Sequence, residues 1–399
     1  MDRRFLRVWI GQVLSRFGTT VSAFGAAVWV FLETDSLMWL AVLSMMAALP
    51  SVLAAPLTGL VDRYDRRTVM ITADTGAAVV TAVIVVVWLV TDLEPWHLAV
   101  AAFVSEFIGS FQGPAYDAAV PALVDDPEDL GRANGLVQLG PGLATVAAPG
   151  AAGLLLAWGG LGAIFIVDLV TFAIAVITVL ATPFSASAVA DEDDRMRLRD
   201  AASWVRQKAR GIGALILMLA AINLALSAFN VAVVARGTDL GGEAGAGLAP
   251  TLGGVGMIAL GITIGAKGIP ARRIRAMTFV LFAYGALTIA SVARPWLALF
   301  VVGTGLAMST TALAQAIVST TFHERVPSAM QGRVFGLRNA VGRGTAPIGA
   351  LAAGPIAGWS VAGTIAGVGV LMMLLGAYAS SSSLLRPLDR APASGPNVT

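Results

Sequence analysis

Stretches of about 20 apolar residues, the length a helix needs to cross a hydrocarbon core of roughly 30 Å, follow one another along this chain. They stand near 8–32, 37–59, 68–91, 96–120, 132–157, 161–182, 211–235, 247–268, 275–293, 295–322, 333–357 and 361–383. Only 13% of the 399 residues are charged and the mean hydropathy is +0.81, whereas a soluble domain carries about 25% charged residues. So few charges cannot cover a water-soluble body of this size, and a bilayer removes the need. The reading is an all-α membrane protein of about twelve transmembrane helices. The first six form an N-terminal bundle at 1–182 and the last six a C-terminal bundle at 211–385, joined by a cytoplasmic linker at 183–210 and followed by a disordered cytoplasmic tail at 386–399.

Lysine and arginine orient these spans. All but five (Arg16, Arg236, Arg294, Arg338 and Arg343) of the 26 basic residues fall in the segments on one side. That side is therefore cytoplasmic, it holds both termini, and the protein belongs in the plasma (inner) membrane. The first apolar stretch is too long for a cleavable signal peptide and lacks its small-residue pattern, so it reads as the first span. The linker carries Asp191-Glu192-Asp193-Asp194 and then Arg195, Arg197 and Arg199, the pattern of a solvated segment with a short interfacial helix around 197–210.

Several functions are excluded by supply. There is no cysteine, and His97 and His323 are the only histidines, so neither a metal centre nor a Ser-His-Asp triad is expected. No phosphate loop of the Gly-Lys-Ser/Thr type exists to drive an ATP pump. The net charge of +2 is spread over helix ends, which argues against a nucleic-acid partner. No cofactor is expected, an embedded enzyme is disfavoured, and a monomer is the expected state.

The chain also repeats itself. An offset of 201 residues matches Gly131-Arg132 with Gly332-Arg333, Gly135-Leu136 with Gly336-Leu337, Gly153 with Gly354 and Trp158 with Trp359. Two halves in the same orientation are the parallel-repeat plan of two-bundle transporters, which bind substrate near the midplane where the repeats meet.

Between the second and third spans stands Gly59-Leu60-Val61-Asp62-Arg63-Tyr64-Asp65-Arg66-Arg67. It resembles the loop signature G-x-x-x-D-R-x-G-R-R of the major facilitator superfamily, with Asp62, Arg63, Arg66 and Arg67 in register, Thr58 at the place of the first glycine and Asp65 at that of the second. The variant is similar to the branch of macrolide and siderophore exporters. The resemblance implies gating by Asp62, Arg63, Arg66 and Arg67 against the start of the eleventh span at Arg333; Asp74 and Asp117 lie near the cytoplasmic ends and read by that position as further gating groups, with Arg63, Arg66 or Arg333 as partners. A carboxylate at a helix N-terminus and arginines on neighbouring acids or lipid phosphate suit such a role. The fifth span is similar to the antiporter signature G-x8-G-x3-G-P-x2-G-G through Gly135, Ala144, Ala148, Pro149, Ala152 and Gly153. Gly135, Pro149 and Gly153 are thus expected in helix packing, Pro149 as a bend, against Gly253, Gly261 and Gly265 of the eighth span. The second half has Ala350 where Pro149 would repeat, an asymmetry that implies export. A third signature departs: Gln112-Gly113 are present in the fourth span, but its arginine is replaced by Gly109.

Charges inside a membrane are functional candidates by default. Arg16 and Glu106 fall about 13–15 Å from the cytoplasmic edge, Arg343 near ~16 Å and Asp168 near ~20 Å by helix rise, and two charges of each sign at similar depth suggest pairing. Glu106 and Asp168 are the candidate proton-coupling groups, with a static Arg16–Glu106 pair as the alternative. In the superfamily the first, fourth, seventh and tenth spans line the cavity. Here they offer Gln12, Arg16 and Thr19; Phe103 and Glu106; Asn223, Ser227 and Asn230; and Thr304, Met308, Thr311 and Gln315, to which Arg343 of the eleventh span adds a positive charge. The expected function is export of small amphipathic molecules by alternating access in exchange for protons, with lipid as the other partner. Uptake of a small metabolite by symport or uniport is the alternative.

Overall fold

The computed structural model describes residues 2–54, 57, 64–124, 126–184 and 198–389. The described chain is helical from end to end: α1 (Arg3–Thr34), α2 (Leu37–Ala54), α3 (Arg66–Val90), α4 (Pro95–Leu123), α5 (Leu130–Leu180), α6 (Leu198–Lys208), α7 (Arg210–Lys267), α8 (Arg273–Ser291), α9 (Leu297–Ser309), α10 (Thr311–Arg325), α11 (Ser328–Trp359) and α12 (Val361–Ser381). Among the described residues, eight helical segments are long and apolar enough to cross a membrane. Large apolar side chains such as Val86, Leu89, Leu154, Ile262, Phe279 and Leu374 stand exposed along them, a surface that water would not tolerate in such quantity and lipid does. Helices α4 and α11 fall outside those eight. They hold Glu106, Gln112 and Asp117, and Arg333, Arg338 and Arg343.

Two long helices contain a break where a loop was expected. Helix α5 passes through Gly160 at φ 62°, ψ −162°, and α7 through Gly242 at φ 62°, ψ −155°. Only glycine occupies that region at low cost, so the apolar stretches on either side reverse direction without a linker. The tenth expected stretch is divided at Thr310, where the Thr310 and Thr311 hydroxyls donate to the carbonyls of Ala307 and Met308 at 2.8 and 2.6 Å and compete with the helical ladder.

The chain forms two compact units, Met1–Glu192 with Val234–Thr251, and Asp193–Val233 with Leu252–Thr399. In the first, α1 lies along α5, α3 packs on α4 and α5, and α2 on α4. Glycines at every seventh position of α1 set its approach. A Cβ on Gly11, Gly18 or Gly25 would strike Thr178, Thr171 or Ile164 respectively. Phe5, Met70, Leu123 and Val179 fill one end of this unit, and Val30, Leu43, Leu98 and Phe165 the other. In the second unit α8 packs on α12 and α9.

Part of the expected tail is folded. Residues Arg386–Leu388 form a 3-10 turn with Leu388 buried, and Asp389 accepts from the Arg273 and Arg275 amides at 2.9 and 3.0 Å. One buried leucine and a carboxylate at a helix start are enough to hold this stretch down. The rest of the tail, and linker residues 185–197, lie outside the described residues.

Candidate functional site

Three helices of the first unit converge on one carboxylate. Asp74 of α3 is 0% exposed. Its Oδ2 accepts from Gln12 Nε2 at 3.0 Å, and its Oδ1 from Ser15 Oγ at 3.1 Å and from Gln112 Nε2 at 2.6 Å. The Gln112 amide also donates to Gln12 Oε1 at 2.9 Å, closing a ring across α1, α3 and α4. Gln12 and Ser15 lie three residues apart and so share a face of α1, held inward by the glycine contacts with α5. Asp74 was expected to meet Arg63, Arg66 or Arg333 in a gate; it meets amides and a hydroxyl instead, because its place on α3 turns it inward. Gln12, expected in the substrate cavity, is buried in the same ring.

Glu106 of α4 feels the positive charge of Arg16 on α1, but among the described residues the two form no direct ion pair. Arg16 is exposed and Glu106 half-buried, so both remain open to a third charged group. Asp168 of α5 is buried and accepts from Thr81 Oγ1 of α3 at 2.9 Å. Ser22 of α1 stands beside the carboxyl, yet Oδ1 completes no hydrogen bond. The expected pairing of buried charges thus takes a different form, a loose electrostatic pair at Glu106 and a hydroxyl-bound carboxyl at Asp168. Thr19 donates to the Ser15 carbonyl. Phe103 stacks on Phe107 at 6.4 Å, and Phe107 meets Phe111 edge-on at 5.5 Å, an aromatic ladder on α4 at helical spacing.

In the second unit, Asn223 of α7 lies against Gly342 of α11, and Thr345 Oγ1 donates to the Ala220 carbonyl at 3.2 Å. Gly349 lets the Leu224 carbonyl approach. Asn230, Gln315 and Arg343 are exposed, and Arg333 and Thr311 half-buried. Arg338 carries its guanidinium 5.4 Å from the Phe322 ring, within the range of a cation–π contact. The sequence sets Arg338 apart from the cytoplasmic basic residues but gives it no role.

Small residues bring α5 onto the Val234–Thr251 stretch of α7. Ala144, Ala148 and Ala152 are buried. A Cβ on Gly153 would lie 2.7 Å from the Glu243 carbonyl oxygen and 3.1 Å from Ala244 Cα. A Cβ on Gly247 would fall on the Pro149 carbonyl. Pro149 and Gly153 therefore sit at a close backbone approach, whereas Gly135 has open space where a Cβ would point. The partner face also differs from expectation. It is Glu243–Gly247 and Thr251, all before Gly253, which packs on Met308 and Gly305; Gly261 and Gly265 face open space.

The sequence model of the major facilitator superfamily matches residues 8–350. The chain belongs to the major facilitator superfamily. Among curated relatives, macrolide efflux protein A of Streptococcus pyogenes is 26% identical over 355 residues, covering 87% of each chain. The protein of the same name from Enterococcus faecalis is 27% identical over 316 residues, covering 77% of this chain and 97% of that one. Among solved structures, an inward-facing bacterial homologue of the iron transporter ferroportin shares the fold, with a TM-score of 0.71 at 17% identity over 95% of this chain and 99% of that one.

Within this major facilitator fold the signature loop can be followed in part. Asp62 and Arg63 lie outside the described residues. Asp65, where the superfamily signature has glycine, caps α3 by accepting from the Thr68 amide at 3.0 Å and hydroxyl at 2.9 Å. A capping carboxylate performs there what a flexible turn would otherwise do. Arg67 donates to the Val179 and Leu180 carbonyls at 3.3 and 2.7 Å, and Arg7 to the Ala181 carbonyl at 3.0 Å. Both guanidinium groups sit at the negative end of α5. Arg66 is buried, with Nη1 donating to the Tyr64 carbonyl at 3.2 Å, and Asp117 is exposed on α4. Gly109 faces open space where the antiporter signature would carry arginine, and the positive charge near Glu106 comes from Arg16. Sequence reading missed Ser15 and Thr81 as partners of buried carboxylates. The signal for Ser15 was present in its spacing from Gln12; Thr81 gave none, since a lone threonine in an apolar span is ordinary.

Proposed function

We propose that this major facilitator protein is a secondary active exporter of small amphipathic molecules of the drug or natural-product type, working by alternating access and exchanging its substrate for protons. The observation that carries the reading is the likeness to two macrolide efflux proteins along most of the chain. A macrolide is bulky and largely apolar, and Phe103 and Phe107, which flank Glu106 on α4, offer an aromatic surface suited to such a molecule.

The chain crosses the membrane about twelve times in this reading, once each through α1 to α4, twice each through α5 and α7 at their glycine breaks, then through α8, α9 with α10, α11 and α12. The crossings group as bundles at 1–182 and 211–385, the termini lie in the cytoplasm, and the host membrane is the plasma membrane. Glu106 is the coupling group and Asp168 the second. A proton or a cationic substrate competes with Arg16 for the Glu106 carboxylate, so loading one releases the other. Thr19, Asn223, Asn230, Thr311, Gln315 and Arg343 supply the polar contacts of the cavity. Asp62, Arg63, Arg66, Arg67, Asp117 and Arg333 govern its opening.

The test is transport in reconstituted vesicles at two pH values, wild type against Glu106→Gln. Substrate-driven proton movement in the wild type, with transport insensitive to pH in the variant, is the expected result. A variant that keeps the wild-type pH response removes Glu106 from the coupling role. Net accumulation of the compound inside cells would overturn export.

A further inference from the structure

We propose that Asp74, with Ser15, Gln12 and Gln112, is a proton-binding site inside the first unit, separate from Glu106 and Asp168. Its part in transport rests on the proton-coupled reading above, while the site itself stands on geometry. Asp74 is fully buried, and its donors are two amides and a hydroxyl, all neutral. An ionised carboxylate in such surroundings has no counter-charge for its lost hydration.

Among the described residues no cation on the packed helices pairs with Asp74. On α1, Arg16 acts on Glu106 and Arg7 binds the end of α5. On α3, Arg66 bonds to Tyr64 and Arg67 to Val179 and Leu180. On α4, Asp117 is exposed and the buried Tyr116 hydroxyl has no hydrogen-bond partner among the described residues; neither is a cation. On α5, Asp168 is held by Thr81 and Arg132 by Asp129.

The ring accepts a proton without moving a heavy atom. A serine hydroxyl both donates and accepts. In the anion Ser15 donates to Oδ1; in the acid the proton on Oδ1 points to Ser15 Oγ, and the hydroxyl turns away. Gln12 and Gln112 keep donating in both forms. A sodium ion fits less well, since it asks for about six oxygen ligands and two of the three partners present N–H groups.

The position gives the proton a mechanical consequence. The ring ties α1 to α3 and α4, with Gln12 one turn from Arg16 and Gln112 six residues beyond Glu106. The bound proton comes from water and returns to it, and water reaches Asp74 only when α1 and α4 part from α3. Protonation therefore favours the closed packing of these helices, and deprotonation favours its opening.

Infrared difference spectra of the purified, reconstituted full-length protein between acidic and alkaline buffer test this without substrate. The wild type is expected to show a protonated-carboxyl band that Asp74→Asn removes. Gln112→Leu takes one donor from the anion, so the band should persist and its loss should move about one pH unit upward. An unchanged band in Asp74→Asn overturns the proposal, as does a midpoint unmoved by Gln112→Leu. If sodium at constant pH abolishes the band, the site binds a metal cation and the proton assignment fails. Loss of the transport reading would appear in the vesicle assay alone and leave these spectra unchanged.

Discussion

Replacing Gly153 by alanine should separate two helices that the backbone holds together. The new Cβ would lie 2.7 Å from the Glu243 carbonyl oxygen, against 3.4 Å for ordinary contact, so α5 and the Val234–Thr251 stretch of α7 must part by about 0.7 Å. The obstacle is backbone, and no side chain can rotate away. If ~20 atom pairs face each other across the strip, each worth ~0.1–0.2 kcal/mol and losing a quarter to a half of its attraction, roughly 0.5–2 kcal/mol is lost. Overpacked cores lose about 1–3 kcal/mol by direct measurement, so the two figures agree. Against this, alanine in a helix gains about 0.5–1 kcal/mol over glycine. Gly135→Ala, which meets open space, should show only that gain. Equilibrium unfolding in mixed detergent, followed by tryptophan fluorescence, should therefore place Gly153→Ala below Gly135→Ala by about 1–3 kcal/mol. Gly247→Ala should fall with Gly153→Ala, since its Cβ meets the Pro149 carbonyl. Equal stability of Gly153→Ala and Gly135→Ala would refute the close approach.

Two smaller predictions come from the helix ends. Asp389→Ala removes the acceptor of the Arg275 amide and should cost ~1 kcal/mol in the same unfolding assay, with Asp389→Asn restoring most of it. Burial pushes the Asp239 carboxyl above its ordinary range, Arg236 opposes this and Asp35 adds to it. A raised carboxyl favours the folded state at low pH and loses that contribution as pH climbs through its folded value. Asp239→Asn should flatten this decline, a small effect because the group is only partly buried and solvent screens it, and a curve identical to wild type would remove Asp239 from the account.

Solvent, helical class and superfamily can all be read from the order of residues. Apolar runs of about 20 residues leave no other way to satisfy the backbone in lipid, and Asp62, Arg63, Arg66 and Arg67 recur at a spacing that chance seldom supplies. That order also names most of the polar residues that matter, because a charge or amide inside an apolar span stands out against its neighbours. Tertiary structure alone decided what each of them touches. Asp74 lies near a helix end in sequence and reads as a gating group, yet Gln12, Ser15 and Gln112 enclose it, since three glycines of α1 let that helix settle on α5. Asp168 is answered by a threonine rather than an arginine, and Pro149 and Gly153 meet Gly247 and Glu243 rather than the glycines farther along α7. Helical periodicity tells which face a residue occupies. Which helix lies opposite, and at what height, depends on packing between segments far apart in the chain, and no local pattern records that.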